Sequence, residues 1–290
     1  MLTAMPPKAV TPFPKRMADR AKREWKKLSW QARCLPDFLI IGCQKGGTSS
    51  LHNYLSQHSR LFEADIKEVH FFDGGLDPDW NKYAEGERLY RSYFPRASKV
   101  REVGGQAFEA TPEYMHNPHA PARMKALVPD AKLIVLLRDP IERTISNYFH
   151  ERRRGRESLP IMEALEAEAE HMDAVRAVGD FKDTRWICKA YMTRGLYAQQ
   201  LELVFEHYPY ERVLILESSE FYGDPKATLA QVLDFIGLDD TGFEVDLTPV
   251  GVGTNRTKVD PEVYDWLINR LREPNQKLEQ LLGRRFDWTS

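Results

Sequence analysis

DFLIIGCQKGGTSSL, residues 37–51, is the stretch of this 290-residue chain that decides the fold. It starts as a short apolar run, typical of a buried strand, and passes through a glycine-rich turn into a helix predicted over 48–57. The glycines allow a tight turn and a close approach to a ligand, while the free amides and the dipole at the start of the helix favour an anion. The residues predicted to cradle a phosphate are Lys45, Gly46, Gly47, Thr48, Ser49 and Ser50.

The order of residues in this turn separates it from the nucleoside-triphosphatase loop. That loop reads G-x-x-x-x-G-K-[ST], with the lysine after its last glycine. Here Lys45 precedes Gly46 and Gly47, and no residue is evidently placed to hold magnesium. The sequence therefore predicts a phosphate site that needs no metal. An ordinary strand-to-helix turn with an incidental lysine is the alternative.

A second anion site is predicted where another buried strand, residues 132–137, leads into Arg138. Ligands gather at this end of the strands in open α/β sheets, and an arginine gives a forked, charge-assisted contact to a phosphate. Asp139 predicts the N-cap of the next helix, with Glu142 completing a capping box, and Ser146 follows about two turns further along. The alternative is that Arg138 pairs with a nearby carboxylate and that Ser146 is a helix-surface residue.

KEVHFFD, residues 67–73, supplies the acid–base candidates Glu68 and His70. Strand-like alternation places both side chains on one face, and the aromatic neighbours bury the other face. A partly desolvated carboxylate is suited to act as general base toward a hydroxyl. Zinc binding is disfavoured, because E-x-H lacks the helical spacing of paired ligands. A salt bridge at a strand end is the alternative to catalysis.

Strands alternate with helices along the rest of the chain. A third buried strand is predicted at 212–216, and helices at about 117–128, 140–154, 160–172, 194–207, 226–236 and 260–282. Such alternation is typical of a parallel sheet covered by helices on both faces. We therefore predict the α/β class, with a single domain over residues 31–290 and an N-terminal arm and helix over residues 1–30.

Residues 15–30 predict a short basic amphipathic helix that follows a loose arm at 1–14. One apolar stripe runs along this helix among lysines and arginines, and its members are Met17, Ala21, Trp25 and Leu28. We expect the helix to pack on the edge of the domain. Contact with an anionic membrane surface is the alternative.

The composition is typical of a soluble globular protein, with 42% hydrophobic and 29% charged residues. A formal net charge of −2 argues against a nucleic-acid partner, so any anion site must be built locally. The three cysteines are too few and too widely spaced for a disulfide framework or a zinc pattern. Since no apolar run spans a membrane and no signal-peptide core is present, we expect a cytoplasmic protein.

Taken in this order, the segments resemble the sulfotransferases that use 3′-phosphoadenosine-5′-phosphosulfate (PAPS). They are most similar to the heparan sulfate glucosaminyl 3-O-sulfotransferases and the N-sulfotransferase domain, over residues 36–288. Further marks of the resemblance are the turn Thr111-Pro112-Glu113-Tyr114, the helix start Gly195-Leu196-Tyr197 and the stretch from Glu273 to Trp288. The resemblance implies a P-loop-like, nucleotide-kinase-like sulfotransferase fold in a soluble relative of bacterial type.

The resemblance also implies a role for each site residue. Lys45 would sit at the oxygen that bridges phosphate and sulfate, and Glu68 would take the proton from the acceptor hydroxyl. His70 would orient the acceptor or assist the base. The nucleotide contacts implied besides the glycine-rich turn are Arg138, Ser146, Tyr197 and Arg256, the first two at the 3′-phosphate and the last in a loop that closes over the nucleotide.

The implied reaction is a single in-line displacement that releases 3′-phosphoadenosine-5′-phosphate (PAP) and needs no metal. A hydroxyl of a saccharide or glycolipid is the expected acceptor, with a hydroxylated acyl chain or another small metabolite as the alternative. The heparan enzymes carry a lysine before T-P-x-Y, whereas this chain has Ala110, preceded by Glu109. A cationic contact to an anionic polysaccharide is therefore absent from this position. Outside the class, an atypical nucleotide-dependent kinase and a non-catalytic nucleotide- or glycan-binding protein stay open.

Overall fold

A computed structural model describes residues 23–239, 243–251 and 259–288, and in them the strands form one parallel sheet. The strands are β1 (Phe38–Gly42), β2 (Leu61–Glu63), β3 (Gln106–Ala110), β4 (Lys132–Leu137) and β5 (Val213–Glu217), in the order β2-β3-β1-β4-β5. The register pairs Ile40 with Ala110 on one side and with Ile134 on the other. The predicted α/β class and parallel sheet are confirmed.

The helices match the predicted ones to within a few residues at most ends. They are α1 (residues 23–28), α2 (Thr48–Ser56), α3 (Gly86–Arg91), α4 (Ala97–Glu102), α5 (Glu113–His116), α6 (Ala120–Leu127), α7 (Pro140–Arg153), α8 (Ile161–Val178), α9 (Thr184–Lys189), α10 (Tyr197–Phe205), α11 (Ser218–Gly223), α12 (Pro225–Ile236) and α13 (Pro261–Leu282). The short helices α3, α4, α5, α9 and α11 were not predicted, because runs of four to six residues show too little periodicity.

Two strands escaped the sequence analysis, and each has a physical reason. β2 is three residues long and ends on an exposed glutamate, so it shows no apolar run. β3 is buried over most of its length but contains Glu109. That carboxylate accepts hydrogen bonds from Tyr90 Oη at 2.5 Å and Thr111 Oγ1 at 2.8 Å. These partners offset the cost of burying a charged residue type. Glu109 is typical of an exposed position, so the sequence of β3 does not look like that of a buried strand.

The two faces of the central strand lie in two different parts of the core. Phe38 and Ile40 of β1 belong to the apolar cluster formed with α2 and α12. Leu39 and Ile41 alternate with them and belong to the cluster formed with α6, α10 and α13. Side chains of a strand alternate between faces, so one buried run holds both helical layers on the sheet.

Where the structure describes it, the basic helix lies on the domain edge as expected, but it packs there through its basic side and not through its apolar stripe. Trp25 and Leu28 are 60% and 75% exposed. Lys26 instead forms an ion pair with Asp65, and the Arg23 guanidinium lies 4.1 Å from the centre of the Tyr93 ring. A carboxylate and an aromatic face on the domain edge thus select the basic side of the helix.

Met17 and Ala21 lie outside the described residues, and contact of this helix with a membrane surface stays a prediction. Across the parts of the chain that the structure describes, no helix combines the length and the apolar character needed to span a bilayer.

Candidate active site

The loop between β1 and α2, residues 43–47, is fixed by close backbone approaches. A Cβ on Gly46 would lie 2.6 Å from the carbonyl oxygen of Leu136, which is closer than carbon and oxygen approach without displacement. Gly47 has a φ of 108°, a conformation that glycine adopts without strain. Both glycines are therefore required by the backbone. The first amides of α2 follow directly after Gly47, as an anion site at a helix N-terminus requires.

Hydrogen bonds to neighbouring elements hold residues 43–47, called the phosphate loop below after their predicted role. The Cys43 amide donates to the Leu136 carbonyl at 2.8 Å. The Ser218 hydroxyl, just after β5, donates to the Gly46 carbonyl at 2.5 Å. The Tyr197 hydroxyl lies 3.4 Å from Cys43 Sγ and donates to the Arg138 carbonyl at 2.8 Å.

Tyr197, predicted as a nucleotide contact, lies where α10 begins. Its side chain is buried in the apolar cluster formed with α6, α10 and α13, and its hydroxyl is engaged with Cys43 and Arg138. The hydroxyl thus has two partners within the protein, and contact with the nucleotide stays a prediction.

Ser50 is also engaged within the protein. Its hydroxyl donates to the Val250 carbonyl at 3.2 Å and accepts from the Val250 amide at 3.0 Å. Ser50 thus fastens the segment 243–251 along α2, where Tyr54 also donates to the Leu247 carbonyl at 2.7 Å. Thr48 is buried and Ser49 is half-buried at the start of the same helix. Arg256 lies outside the described residues.

Arg138 joins the phosphate loop to the start of α7. Its Nη1 donates to the Lys45 carbonyl at 3.2 Å, and its Nη2 lies 3.7 Å from Glu142 Oε2. The predicted carboxylate partner is therefore present, at a long ion-pair distance. Ser146 follows Glu142 by four residues, so both lie on the same half-exposed face of the helix. Asp139 caps the helix as predicted, accepting from the Ile141 amide at 2.8 Å.

Positive charge is concentrated around Lys45. Burial lowers the pKa of its ammonium, and the arginines Arg153, Arg138, Arg143 and Arg154 lower it further. His150 lies on α7 with Arg153. Its pKa is lowered to about 4 by burial and then by Arg154, Lys45 and Arg153. A chain of net charge −2 thus contains a local cationic site, and an anion bound there would relieve the repulsion.

Glu68, His70 and Asp73 form a line of charges next to this site. Asp73 Oδ2 lies 2.5 Å from His70 Nδ1, and His70 Nε2 lies 3.8 Å from Glu68 Oε2. Lys67 Nζ contacts the other Glu68 oxygen at 2.7 Å. Asp73 and His70 are buried, whereas Glu68 is exposed at the surface. The Glu68 carboxylate is therefore accessible from the surface, and His70 contacts it from the buried side.

The strand predicted for this segment is wrong, and the proximity of the two side chains has another cause. Glu68 and His70 have φ values of 62° and 53°, in the left-handed region. The Glu68 amide donates to the Ala110 carbonyl at 3.0 Å, and the Phe71 amide donates to Tyr114 Oη at 2.9 Å. The end of β3 and the T-P-x-Y turn thus hold a strained loop that strand propensity does not describe.

Backbone strain coincides with the predicted catalytic residues. Within the described ranges, the non-glycine residues with a positive φ are Lys45, Glu68 and His70. The left-handed conformation costs about 1–2 kcal/mol for such residues. Strain of this kind persists where the surrounding structure over-determines it, and it concentrates at functional sites.

The protonation states of Glu68 and His70 follow from their mutual contacts. Although Glu68 is exposed, its surroundings partly desolvate the carboxylate and oppose its charge, but the contacts with His70 and Lys67 hold its pKa down to about 2. Burial likewise opposes charge on His70, but Asp73 and Glu68 raise its pKa to about 10. Near neutral pH the carboxylate is ionised and the imidazole carries two protons. His70 therefore has no free lone pair with which to act as a base.

Sheet topology brings the three sets of residues to one edge. β1 lies between β3 and β4, and all three strands run parallel. Lys45 follows β1, Arg138 follows β4, and Glu68 is hydrogen bonded to Ala110 at the end of β3. The predicted anion sites and the predicted base thus meet at the carboxyl edge of the sheet, where open α/β sheets bind ligands.

A buried ion pair between Glu113 and Arg194 was not predicted. Arg194 Nη1 contacts Glu113 Oε2 at 2.6 Å, and both side chains are less than a tenth exposed. Arg194 also donates to the Ile187 carbonyl at 2.8 Å. The pair therefore links the T-P-x-Y turn to α9. The two residues are 81 positions apart, and a single sequence holds no signal that joins them.

Comparison with known proteins agrees with this geometry. The chain matches the family described as "Sulfotransferase domain" over residues 35–272, and it therefore belongs to that family. The predicted family is confirmed.

Particular relatives refine the comparison. The chain is 32% identical to heparan sulfate glucosamine 3-O-sulfotransferase 3B1 of Homo sapiens, over 88% of this chain and 65% of that protein, so it spans just under two thirds of this relative. It is also 32% identical to the 3-O-sulfotransferase 6 of Homo sapiens, over 88% of this chain and 74% of that protein. The crystal structure of a sulfotransferase from Alicyclobacillus acidocaldarius is similar with a TM-score of 0.66 and 29% identity, over 87% of this chain and 98% of that one.

The packing of the phosphate loop predicts the effect of one methyl group. Gly46→Ala should destabilise the protein by about 1–3 kcal/mol, because the added Cβ meets the Leu136 carbonyl and overpacking costs that much. Gly223→Ala is the matched control, since nothing lies within 4 Å of its added Cβ. Urea unfolding of both variants measures the difference. Equal stability of the two variants would show that the loop is not packed as described.

The raised pKa of His70 predicts a pH dependence of stability. Its folded-state pKa of about 10 exceeds the usual unfolded value of about 6.5. Between these values the native state holds more protons, so the free energy of unfolding should fall as pH rises. Urea unfolding from about pH 6 to about pH 9 should show this fall, and His70→Asn should remove part of it. The same slope in His70→Asn as in the control His207→Asn would contradict the assignment.

Proposed function

We propose that this protein transfers the sulfuryl group of PAPS to a hydroxyl of a saccharide acceptor. The observation that carries the proposal is the half-buried Lys45 among arginines at the carboxyl edge of the sheet, with the exposed carboxylate of Glu68 beside the next strand. One side of β1 thus offers charges for an anionic donor. The other side offers a group that accepts a proton.

The donor side fits a nucleotide with a phosphosulfate at one end and a phosphate at the other. The phosphate loop, with Lys45 and the amides of α2, would hold the 5′-phosphosulfate, and Arg138 with Ser146 would hold the 3′-phosphate. Arg138 donates a hydrogen bond to the Lys45 carbonyl of the loop. The residues that would bind the two ends of the donor are therefore in direct contact. Arg256 is retained as a predicted further contact on the strength of the family resemblance.

The acceptor side would position a hydroxyl against Glu68. Asp73 holds His70 through Nδ1, and His70 turns Nε2 toward the carboxylate. This keeps Glu68 ionised and oriented. Sulfuryl transfer, like phosphoryl transfer, needs mainly alignment and stabilisation of charge on the leaving oxygen. In this in-line displacement Lys45 would stabilise that charge, and Glu68 would accept the proton from the acceptor oxygen.

The acceptor class rests on the relatives and on one departure from them. The names of the similar human proteins specify glucosamine in heparan sulfate as what they sulfate, which supports a saccharide hydroxyl here. Ala110 stands where the resemblance expects a lysine, and it is fully buried. The neighbouring Glu109 is buried as well and accepts from Tyr90. Neither residue presents a charge to an acceptor, so a less anionic saccharide than heparan sulfate is favoured.

The donor assignment is tested by calorimetric titration with PAP in the absence of metal. We expect micromolar binding, which corresponds to a binding free energy of about −8 kcal/mol. This binding should require the 3′-phosphate. Arg138→Ala should abolish it, whereas Arg212→Ala, on the surface before β5, should not. Tighter binding of ATP with Mg²⁺ than of PAP would favour a kinase and overturn the proposal.

The catalytic assignments predict two kinetic defects. Lys45→Ala and Glu68→Gln should each lower kcat by roughly 10²–10⁴-fold, the range for a lost charge stabiliser or general base. Glu211→Gln, an exposed substitution of the same kind, should leave kcat unchanged. Turnover is measured with PAPS and an oligosaccharide acceptor. Normal kcat in Glu68→Gln with PAP still bound would remove Glu68 from the mechanism.

A further inference from the structure

The segment that follows α13, residues 284–288, is fastened to the end of β5. Trp288 Nε1 donates to Glu217 Oε1 at 2.9 Å, and Arg284 Nη2 contacts Glu217 Oε2 at 3.2 Å. Arg284 also contacts Glu220 Oε1 at 2.8 Å. The rings of Phe286 and Trp288 stack with centroids 4.1 Å apart. Both oxygens of the buried Glu217 carboxylate are thus contacted by this segment, and Oε1 also accepts from Ser219 Oγ at 2.7 Å.

Glu217 is joined to the phosphate loop by the next residue along the chain. Ser218 begins α11 and donates its hydroxyl to the Gly46 carbonyl at 2.5 Å. The position of Ser218 depends on the end of β5, because its own backbone continues from Glu217. Contacts that fix the Glu217 carboxylate therefore also help to fix Ser218 and its hydrogen bond to the Gly46 carbonyl.

A second route from the same segment leads to the other end of the phosphate loop. The Trp288 ring meets the Tyr197 ring edge to face, with centroids 6.0 Å apart, a favoured aromatic geometry. Tyr197 is the residue whose hydroxyl touches Cys43 Sγ and donates to the Arg138 carbonyl. Trp288 thus packs behind the group that connects the loop with the predicted 3′-phosphate site.

We propose that Arg284 and Trp288 are positioning residues for the donor site, although neither belongs to it. They act through Glu217 and Tyr197, which fix the two ends of the phosphate loop. The ligand in this inference rests on the proposed function, but the mechanical link does not. Loss of the segment's contacts should leave the charged, buried Glu217 with Ser219 Oγ as its one remaining donor among those described, so the loop should loosen before the domain unfolds.

Hydrogen exchange in the free protein tests the link without any ligand. The amides of Cys43 and Gly46 are both hydrogen bonded, to the carbonyls of Leu136 and Cys43, so their exchange reports opening of the loop. In Trp288→Phe, which keeps an aromatic ring and loses the indole N–H, we expect exchange over residues 43–47 to become about tenfold faster. Arg284→Met should act in the same direction.

Arg285→Met is the matched control, because it removes the same charge from an exposed neighbour in the same segment. Its loop exchange should equal that of the wild type. If Trp288→Phe and Arg284→Met also leave the exchange of residues 43–47 unchanged, the inference is overturned, whatever the protein binds.

PAP affinity separates this inference from the proposed function. With wild-type binding established, Trp288→Phe should weaken PAP binding by about threefold to tenfold, the size of one typical lost hydrogen bond. The same substitution in a Ser218→Ala background should have a smaller effect, since the route from Glu217 to Gly46 is already cut. Additive effects on PAP affinity, with additive effects on stability, would reduce Trp288 to general packing. Faster loop exchange in Trp288→Phe, together with no PAP binding by the wild-type protein, would leave the link standing and refute the donor instead.

Discussion

The approach of Gly46 to the carbonyl of Leu136 is the contact on which the donor site depends. It leaves no room for a side chain, and the Cys43 amide donates to the same carbonyl. The loop after β1 is thereby seated on the end of β4, the strand that leads into Arg138. Because Arg138 donates in turn to the Lys45 carbonyl, loop and strand end become one unit. The placement of the cations is thus a consequence of pairing two parallel strands.

That unit is assembled against the local preferences of its residues. Lys45 is held in a left-handed conformation, half-buried and close to arginines, and Glu68 and His70 are held in the same backbone region. Each of these features costs free energy that the apolar layers on the two faces of β1 offset. Natural sequences break local rules of this kind mainly at functional sites. Coincidence of the strain with the predicted catalytic residues is therefore an argument for their role that is independent of the family resemblance.

The sequence allowed most of the fold to be predicted and candidate site residues to be named, since both depend on local signals. The apolar runs at β1, β4 and β5 and the order of residues around Lys45 are such signals. What could not be predicted depends on contacts between distant residues. β3 was missed because it contains Glu109, whose partner Tyr90 lies 19 residues away in the sequence. Tyr197 and Ser50 have hydroxyls suited to a phosphate, and only the folded chain reveals that Arg138 and Val250 engage them.

The charges around Glu68 bear on how the proposed reaction is driven. A carboxylate with a pKa of about 2 is a weak base, and it cannot remove a proton from an isolated hydroxyl to a useful extent. In a loose transition state the acceptor oxygen becomes acidic only as it bonds to sulfur, so a weak base at the right place is sufficient at that moment. The protonated His70 between Asp73 and Glu68 then serves to fix this place and to keep the carboxylate ionised. In the proposed reaction most of the barrier would accordingly be lowered on the other side of β1, where Lys45 and the amides of α2 would stabilise the leaving phosphate.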